Sequence, residues 1–285
     1  MTYPEKIMSS IRSSQSVLCA GIDPIPENFP SEIQARSQLE YDMVVAFCRR
    51  VIEQTKTGVA AYKINLAYFE ALGADAYHIL NEVLDAIPSG KIIIADAKRG
   101  DVPHTNARYK TAYFDRLGFD AVTLSPFMGL ETLEPFLQDD DRAVYALTLT
   151  SNPGASDFMT RPFEDAPTLS EHLAGRLRIL SASHPGTLGM VIGATQNQIY
   201  ERVLRAYPES PLLIPGIGAQ GGSIEELSEK LAGHSGIPLI NASRGLSVYD
   251  AASGDAWDYQ ITRNTDHLVK LLSPITDRYL QPSQS

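Results

Sequence analysis

The sequence predicts an α/β protein, a single (β/α)8 barrel over residues 1–285 with its active site at the C-terminal ends of the strands. Three observations lead there. Short β-branched runs recur eight times, segments with helical spacing lie between them, and the runs start roughly 32 residues apart, the length of a βαβ repeat. No Pro/Ser/Gly-rich linker divides the chain into halves, which favours closure into a barrel over an open doubly wound sheet.

In order, the runs are Val17 to Ile22, Val59 to Ile64, Lys91 to Ala95, Asp120 to Leu124, Ala143 to Leu149, Thr187 to Ile192, Leu212 to Ile214 and Pro238 to Ile240. This is the TIM-barrel pattern. Between them, Leu39 to Glu53 places Val44, Val45, Phe47, Cys48, Val51 and Ile52 on one helical face, and Ser223 to Leu231 does so with Ile224, Leu227 and Leu231. Two intervals are long, so extra segments are expected at Asp23 to Arg36 and at Ser151 to Thr168. The polar tail from Leu280 to Ser285 is expected to fray.

Composition narrows the function classes. With 34 acidic against 24 basic residues the net charge is −10, which opposes sequence-independent attraction to nucleic acid or to an anionic membrane surface. A small anion is another matter, because a few local cations and backbone N–H groups can hold one phosphate. The N-terminus lacks an apolar signal region, and no stretch approaches the ~18 apolar residues of a membrane span, so the expected location is the cytoplasm. Cys19 and Cys48 fit that expectation as reduced core thiols.

At the strand ends stand Asp23, Lys63, Asp96 with Lys98, Ser125, Ser151, Thr195, Pro215 with Gly216, and Ser243 with Arg244. The densest segment is Asp96-Ala97-Lys98-Arg99-Gly100-Asp101. Residues two apart on a strand share a face, so Asp96 and Lys98 should touch, and Lys63 on the neighbouring strand should lie about 5 Å from Asp96. Gly100 should then make a sharp turn that presents Asp101 from the loop. Lys63, Asp96, Lys98 and Asp101 form an alternating array. It could be a salt-bridge network closing the barrel, but desolvating four ions costs several kcal/mol each unless pairing is excellent. Such an array is better suited to keeping a proton on Lys98, and an ammonium in a cleft is a general acid.

A second motif, Pro215-Gly216-Ile217-Gly218-Ala219-Gln220-Gly221-Gly222, precedes a capping box at Ser223, and a third, Asn241-Ala242-Ser243-Arg244-Gly245, ends the eighth run. In barrels the loops after strands 7 and 8 often hold a phosphate, here through the glycine-rich loop and Arg244. The string also matches G-x-G-x-x-G, but it follows the seventh run and no acidic residue ends the next one, so a dinucleotide site is not supported. The six histidines show no zinc spacing, His104 reads as a solvated loop residue, and Trp257 reads as packing.

Taken together these motifs resemble the orotidine 5'-phosphate decarboxylase family, specifically the longer bacterial subgroup called type 2, over nearly the whole chain. The resemblance rests on Gly21-Ile22-Asp23-Pro24, on Lys63 with Asn65, on Asp96 to Asp101 followed by Thr105, on Thr150-Ser151-Asn152-Pro153-Gly154, on Pro215 to Gly222, and on Ser243-Arg244-Gly245. It implies cofactor-free conversion of orotidine 5'-monophosphate to UMP in pyrimidine biosynthesis, with Lys98 protonating C6. It implies further that Lys63, Asp96 and Asp101 complete a charged tetrad, Asp101 and Thr105 being lent by the partner subunit of a homodimer. Asp23 would bind ribose hydroxyls, Ser151 the pyrimidine edge, and Gln220 with Arg244 the 5'-phosphate, with Pro215 and Ser243 also lining the substrate. Two other activities stay open at this level: a Mg2+-dependent sugar-phosphate barrel enzyme with a similar Asp-x-Lys-x-x-Asp strand, and a non-catalytic nucleotide-binding barrel.

Overall fold

In the computed structural model, which describes residues 1–37, 39–193, 197–216 and 224–280, eight parallel strands close into a barrel in sequence order. They are β1 Leu18–Ile22, β2 Ala61–Asn65, β3 Ile92–Arg99, β4 Ala121–Leu124, β5 Ala143–Leu149, β6 Thr187–Ile192, β7 Leu212–Pro215 and β8 Pro238–Ala242. β8 returns to β1 through the pairs Leu18↔Ile240 and Cys19↔Asn241, so no sheet edge is left open. Every strand sits on one of the eight runs. Barrel strands are covered on both faces, so they read as near-continuous apolar stretches, and all five residues of β1 are buried.

The helices are α1 Tyr3–Ser14, α2 Ser31–Gln34, α3 Glu40–Thr55, α4 Leu66–Glu70, α5 Ala76–Asp85, α6 Pro103–Lys110, α7 Leu169–Ser181, α8 Asn197–Ala206, α9 Ile224–Lys230, α10 Arg244–Ser247 and α11 Trp257–Leu280. A π-helical turn, Thr111–Arg116, extends α6. The expected helix from Leu39 is α3, which buries Val44, Val45, Phe47, Cys48, Val51 and Ile52 as its spacing requires. Side chains alternate across the barrel wall. The Tyr62 hydroxyl points out to bond the Ile52 carbonyl of α3, and the next residue, Lys63, points in.

The two ends of the barrel are unlike. α1 lies under the N-terminal ends of the strands: Lys6 pairs with Asp120 and Asp141 just before β4 and β5, and Ser10 donates to the carbonyl of Ala60 just before β2. Its buried Tyr3 hydroxyl meets that of Tyr145 inside the barrel at 3.0 Å. With that end plugged, the C-terminal mouth is left for chemistry.

The two long intervals hold the extra segments expected of them. The first contains a 3-10 turn, Pro26–Asn28, and α2; the second contains a 3-10 turn, Pro153–Asp157, and an isolated bridge between Phe163 and Ala166. Cys19 and Cys48 are buried free thiols, and Trp257 is buried, stacked on Phe47 at 5.1 Å. Among the described residues no helix is long and apolar enough to cross a membrane. Thr195, Gln220 with the glycine-rich residues 217–223, and the tail 281–285 lie outside the described residues.

Candidate active site

The mouth is built around one carboxylate. Asp96 of β3 is buried, and its Oδ2 accepts from the Nζ of Lys63 at 2.7 Å while its Oδ1 accepts from the Nζ of Lys98 at 2.5 Å. A third donor, the Thr123 hydroxyl of β4, reaches Oδ1 at 3.0 Å. Asp23, at the end of β1, places its Oδ1 3.9 Å from the Lys63 ammonium.

Burial alone would raise the Asp96 carboxyl, but Lys63 and Lys98 outweigh it and hold the group at about 2. Burial likewise works against the Lys63 ammonium, and Asp96 with Asp23 more than reverses it, so this lysine is held above its ordinary range. At neutral pH Asp96 and Lys63 are therefore both ionised. Cys19, two residues before Gly21 on β1, is pushed up to about 12 by burial despite the pull of Lys63, so a neutral thiol adjoins the charges. Lys98 differs from Lys63 in one decisive respect: its side chain is 49% exposed at the mouth, where Lys63 is 6% exposed in the wall. A ligand entering the barrel meets Lys98.

Two local expectations need correction. Lys63 does not sit beside Asp96 in the ladder; it pairs with Ile94, and Asp96 pairs with Asn65. The contact is made because the long lysine stem reaches diagonally to the next inward position. Nor do Asp96 and Lys98 meet by regular alternation. β3 pairs Ala95 with Val122 and then Arg99 with Leu124, so three β3 residues face Thr123 alone, and Lys98 takes φ = 48°. A lysine in the left-handed region costs roughly 1 kcal/mol or more, and such strain persists only where the surroundings hold it.

Gly100 takes no positive φ of the kind a sharp glycine turn uses. Its requirement is space: a Cβ there would lie 2.8 Å from the carbonyl oxygen of Ser125. Arg99 turns away from the centre, donating to the Tyr113 hydroxyl and pairing with Glu70 of α4. Asn65, singled out by its motif, caps α4 by accepting from the Ala67 amide.

Asp101 does not join the array within its own chain. Its Oδ1 accepts from the amide of Val102 at 2.7 Å, and it makes no ion pair among the described residues. Thr105 follows on the first turn of α6, and His104 between them is exposed, as expected, but it lies in α6 and not in a loop, because Pro103 opens the helix one residue earlier. Across the mouth, Ser151 follows β5 and Pro215 ends β7 opposite Asn241 of β8. Gly21 faces Ser243 so closely that a Cβ would fall 1.8 Å from its hydroxyl oxygen.

Motif reading places Asn241 in the third motif without a role and does not single out Thr123. The Asn241 Oδ1 is buried without a hydrogen-bond partner, while its Nδ2 donates weakly to Ser243 at 3.4 Å; the Asp23 Oδ1 likewise has no hydrogen bond, only the ion pair with Lys63. Arg244, the first residue of α10, is exposed and makes no ion pair among the described residues. No group of three or more His, Cys, Asp or Glu among the described residues is placed to hold a metal ion.

Residues 16–254 match the model of the orotidine 5'-phosphate decarboxylase / HUMPS family. The chain belongs to this family. Its similarity to an orotidine 5'-phosphate decarboxylase of Dehalococcoides mccartyi is 40% identity over 250 residues, covering 86% of this chain and 88% of the relative. A second relative of that name, from Variovorax paradoxus, is 40% identical over 261 residues, covering 90% and 92%. Within the family the chain thus stands with the decarboxylases, enzymes that break a carbon–carbon bond.

Solved structures agree on the barrel. An orotidine-monophosphate decarboxylase structure from Toxoplasma gondii superposes with a TM-score of 0.85 at 28% identity, covering 98% of both chains. The Leishmania donovani UMP synthase gives 0.80 at 33% identity, covering 97% of this chain but 57% of that longer one.

Proposed function

We propose that the chain removes CO2 from orotidine 5'-monophosphate to give UMP, the closing step of pyrimidine nucleotide synthesis, with Lys98 as the proton donor to C6 and no cofactor taking part. The observation that carries this reading is Asp96 held between Lys63 and Lys98 at the strand ends, in a chain whose relatives are named for this reaction.

The chemistry follows from the charges. Breaking the bond between C6 and the carboxylate leaves an electron pair on C6 that no ring carbonyl delocalises well. An ammonium at that position stabilises the carbanion and then gives it a proton, an interaction stronger in the transition state than in the ground state. Lys98 ends the step as a neutral amine and regains a proton from water. In this reading Asp96 faces the departing carboxylate. Two like charges 4 Å apart repel by about 4 kcal/mol at an effective dielectric near 20. Because two lysines hold Asp96 at about 2, it cannot relieve that repulsion by taking up a proton. Loss of CO2 relieves it instead.

The rest of the substrate falls to groups around the mouth. Asp23 takes ribose hydroxyls, which its buried oxygen, free of any hydrogen bond among the described residues, favours. Ser151 takes the pyrimidine edge, and Gln220 with Arg244 the 5'-phosphate, beside Pro215 and Ser243. The homodimer belongs to the same reading, with Asp101 and Thr105 completing the neighbouring site. In its support, Asp101 makes no ion pair among the described residues, and Val102, Phe127 and Met128 stand exposed at the same end of the barrel. A cytoplasmic location accords with this role.

The test is Lys98→Ala. Turnover of orotidylate should fall by a factor of a thousand or more, while UMP, whose contacts lie on other strands, should bind within about threefold of wild type. Retention of more than a small fraction of turnover would remove Lys98 from the role of acid.

A further inference from the structure

We infer that Thr123 is a positioning residue for the decarboxylation, holding the main chain of Lys98 in the β3 bulge and the Asp96 carboxylate in line with the lysine's ammonium; this rests on the decarboxylase reading above. In sequence Thr123 is a hydroxyl inside an apolar strand, Ala121-Val122-Thr123-Leu124, with nothing to mark it as more than core. In the structure it is 1% exposed and is the single β4 residue facing Asp96, Ala97 and Lys98.

That placement creates a hydrogen-bonding problem and answers it. The bulge breaks the ladder between β3 and β4, so the amide of Lys98 loses its regular main-chain acceptor. The Thr123 Oγ1 accepts from that amide at 3.1 Å. The same hydroxyl has one proton to give, and it gives it to Asp96 Oδ1 at 3.0 Å. No other direction is available, since an amide only donates and an ionised carboxylate only accepts. One hydroxyl therefore joins the backbone of the proton donor to the carboxylate that its ammonium also touches.

A consequence separates this role from packing. Valine fills the same volume, yet leaves the Lys98 amide without this acceptor and Asp96 with one donor fewer. Lys98 is then free to leave φ = 48°, which swings its ammonium away from Asp96. Proton delivery suffers, whereas the proposed ribose, base and phosphate contacts on other strands do not. Serine keeps the hydroxyl and should keep the function.

Full-length wild type, Thr123→Val and Thr123→Ser are compared for orotidylate turnover and for UMP binding. The valine variant should lose at least tenfold in kcat with UMP affinity within threefold, and the serine variant should retain kcat within threefold. A valine variant within tenfold of wild type, a parallel loss of kcat and UMP affinity, or a folded serine variant outside threefold each overturns the inference. If the valine variant does not fold, the serine variant decides together with hydrogen exchange in the wild-type chain. There the Lys98 amide should exchange at least a hundredfold slower than an unprotected amide, and faster exchange overturns the inference. A wild-type chain that folds but does not act on orotidylate counts against the decarboxylase reading, and the Lys98 exchange rate then still decides whether Thr123 holds the bulge.

Discussion

At Asp96 two ammonium groups and a hydroxyl converge on one buried carboxylate, and that convergence has a measurable pH signature. In the folded chain the group sits at about 2, below its ordinary 3.8. A depressed carboxyl stabilises the fold above its unfolded value, and that contribution is lost as pH falls through the folded one. The shift corresponds to about 2 kcal/mol. The stability difference between wild type and Asp96→Asn, from urea unfolding, should therefore shrink by about that amount between pH 5 and pH 2. A difference that stays constant across this window would mean that the two lysines do not hold Asp96 ionised. Lys63 works in the opposite direction: its raised value makes its contribution full below the ordinary lysine range, lost only as pH rises beyond it.

The elements divide by how much of their geometry is local. Strand positions were legible because each barrel strand is apolar on both faces, and α3 because its buried face repeats at the helical period. The β3 bulge was not legible. It is set by the pairing of β3 with β4, and no residue spacing within Asp96-Ala97-Lys98 encodes it. The same limit hid Thr123, whose partners are 25 and 27 residues away, and turned the expected lateral contact of Lys63 into a diagonal one. Motif spacing did bring Asp23, Lys63, Asp96 and Lys98 to one mouth, because charges at the ends of inward-facing strand positions have nowhere else to point. At the turn from β8 into α10, Arg244 carries its own prediction. Arg244→Ala should weaken productive binding of orotidylate by about 1.5–3 kcal/mol, the worth of a charge-assisted contact, and leave the phosphate-free nucleoside orotidine almost unaffected. Equal losses with both substrates would show that Arg244 does not meet the phosphate.

For the whole molecule, the barrel separates stability from chemistry: α1 plugs one end, and the opposite end gathers the charges. Within its own chain the Asp101 carboxylate turns to Val102 and not to the lysines, and in the proposed homodimer it completes the neighbouring site. Lys98→Ala and Asp101→Asn homodimers should each be nearly inactive. Mixed under conditions that exchange subunits, they should recover up to about a quarter of wild-type activity, because half the dimers are mixed and each of those has one intact site. No recovery on mixing would place Asp101 in its own chain's site. The central claim, that this barrel mouth decarboxylates orotidylate with its own side chains, is tested most directly by following the ultraviolet absorbance of orotidylate with the purified chain, with and without a metal chelator. Conversion to UMP should proceed at the same rate in both. Absence of conversion by folded protein, or a rate abolished by the chelator, would contradict it.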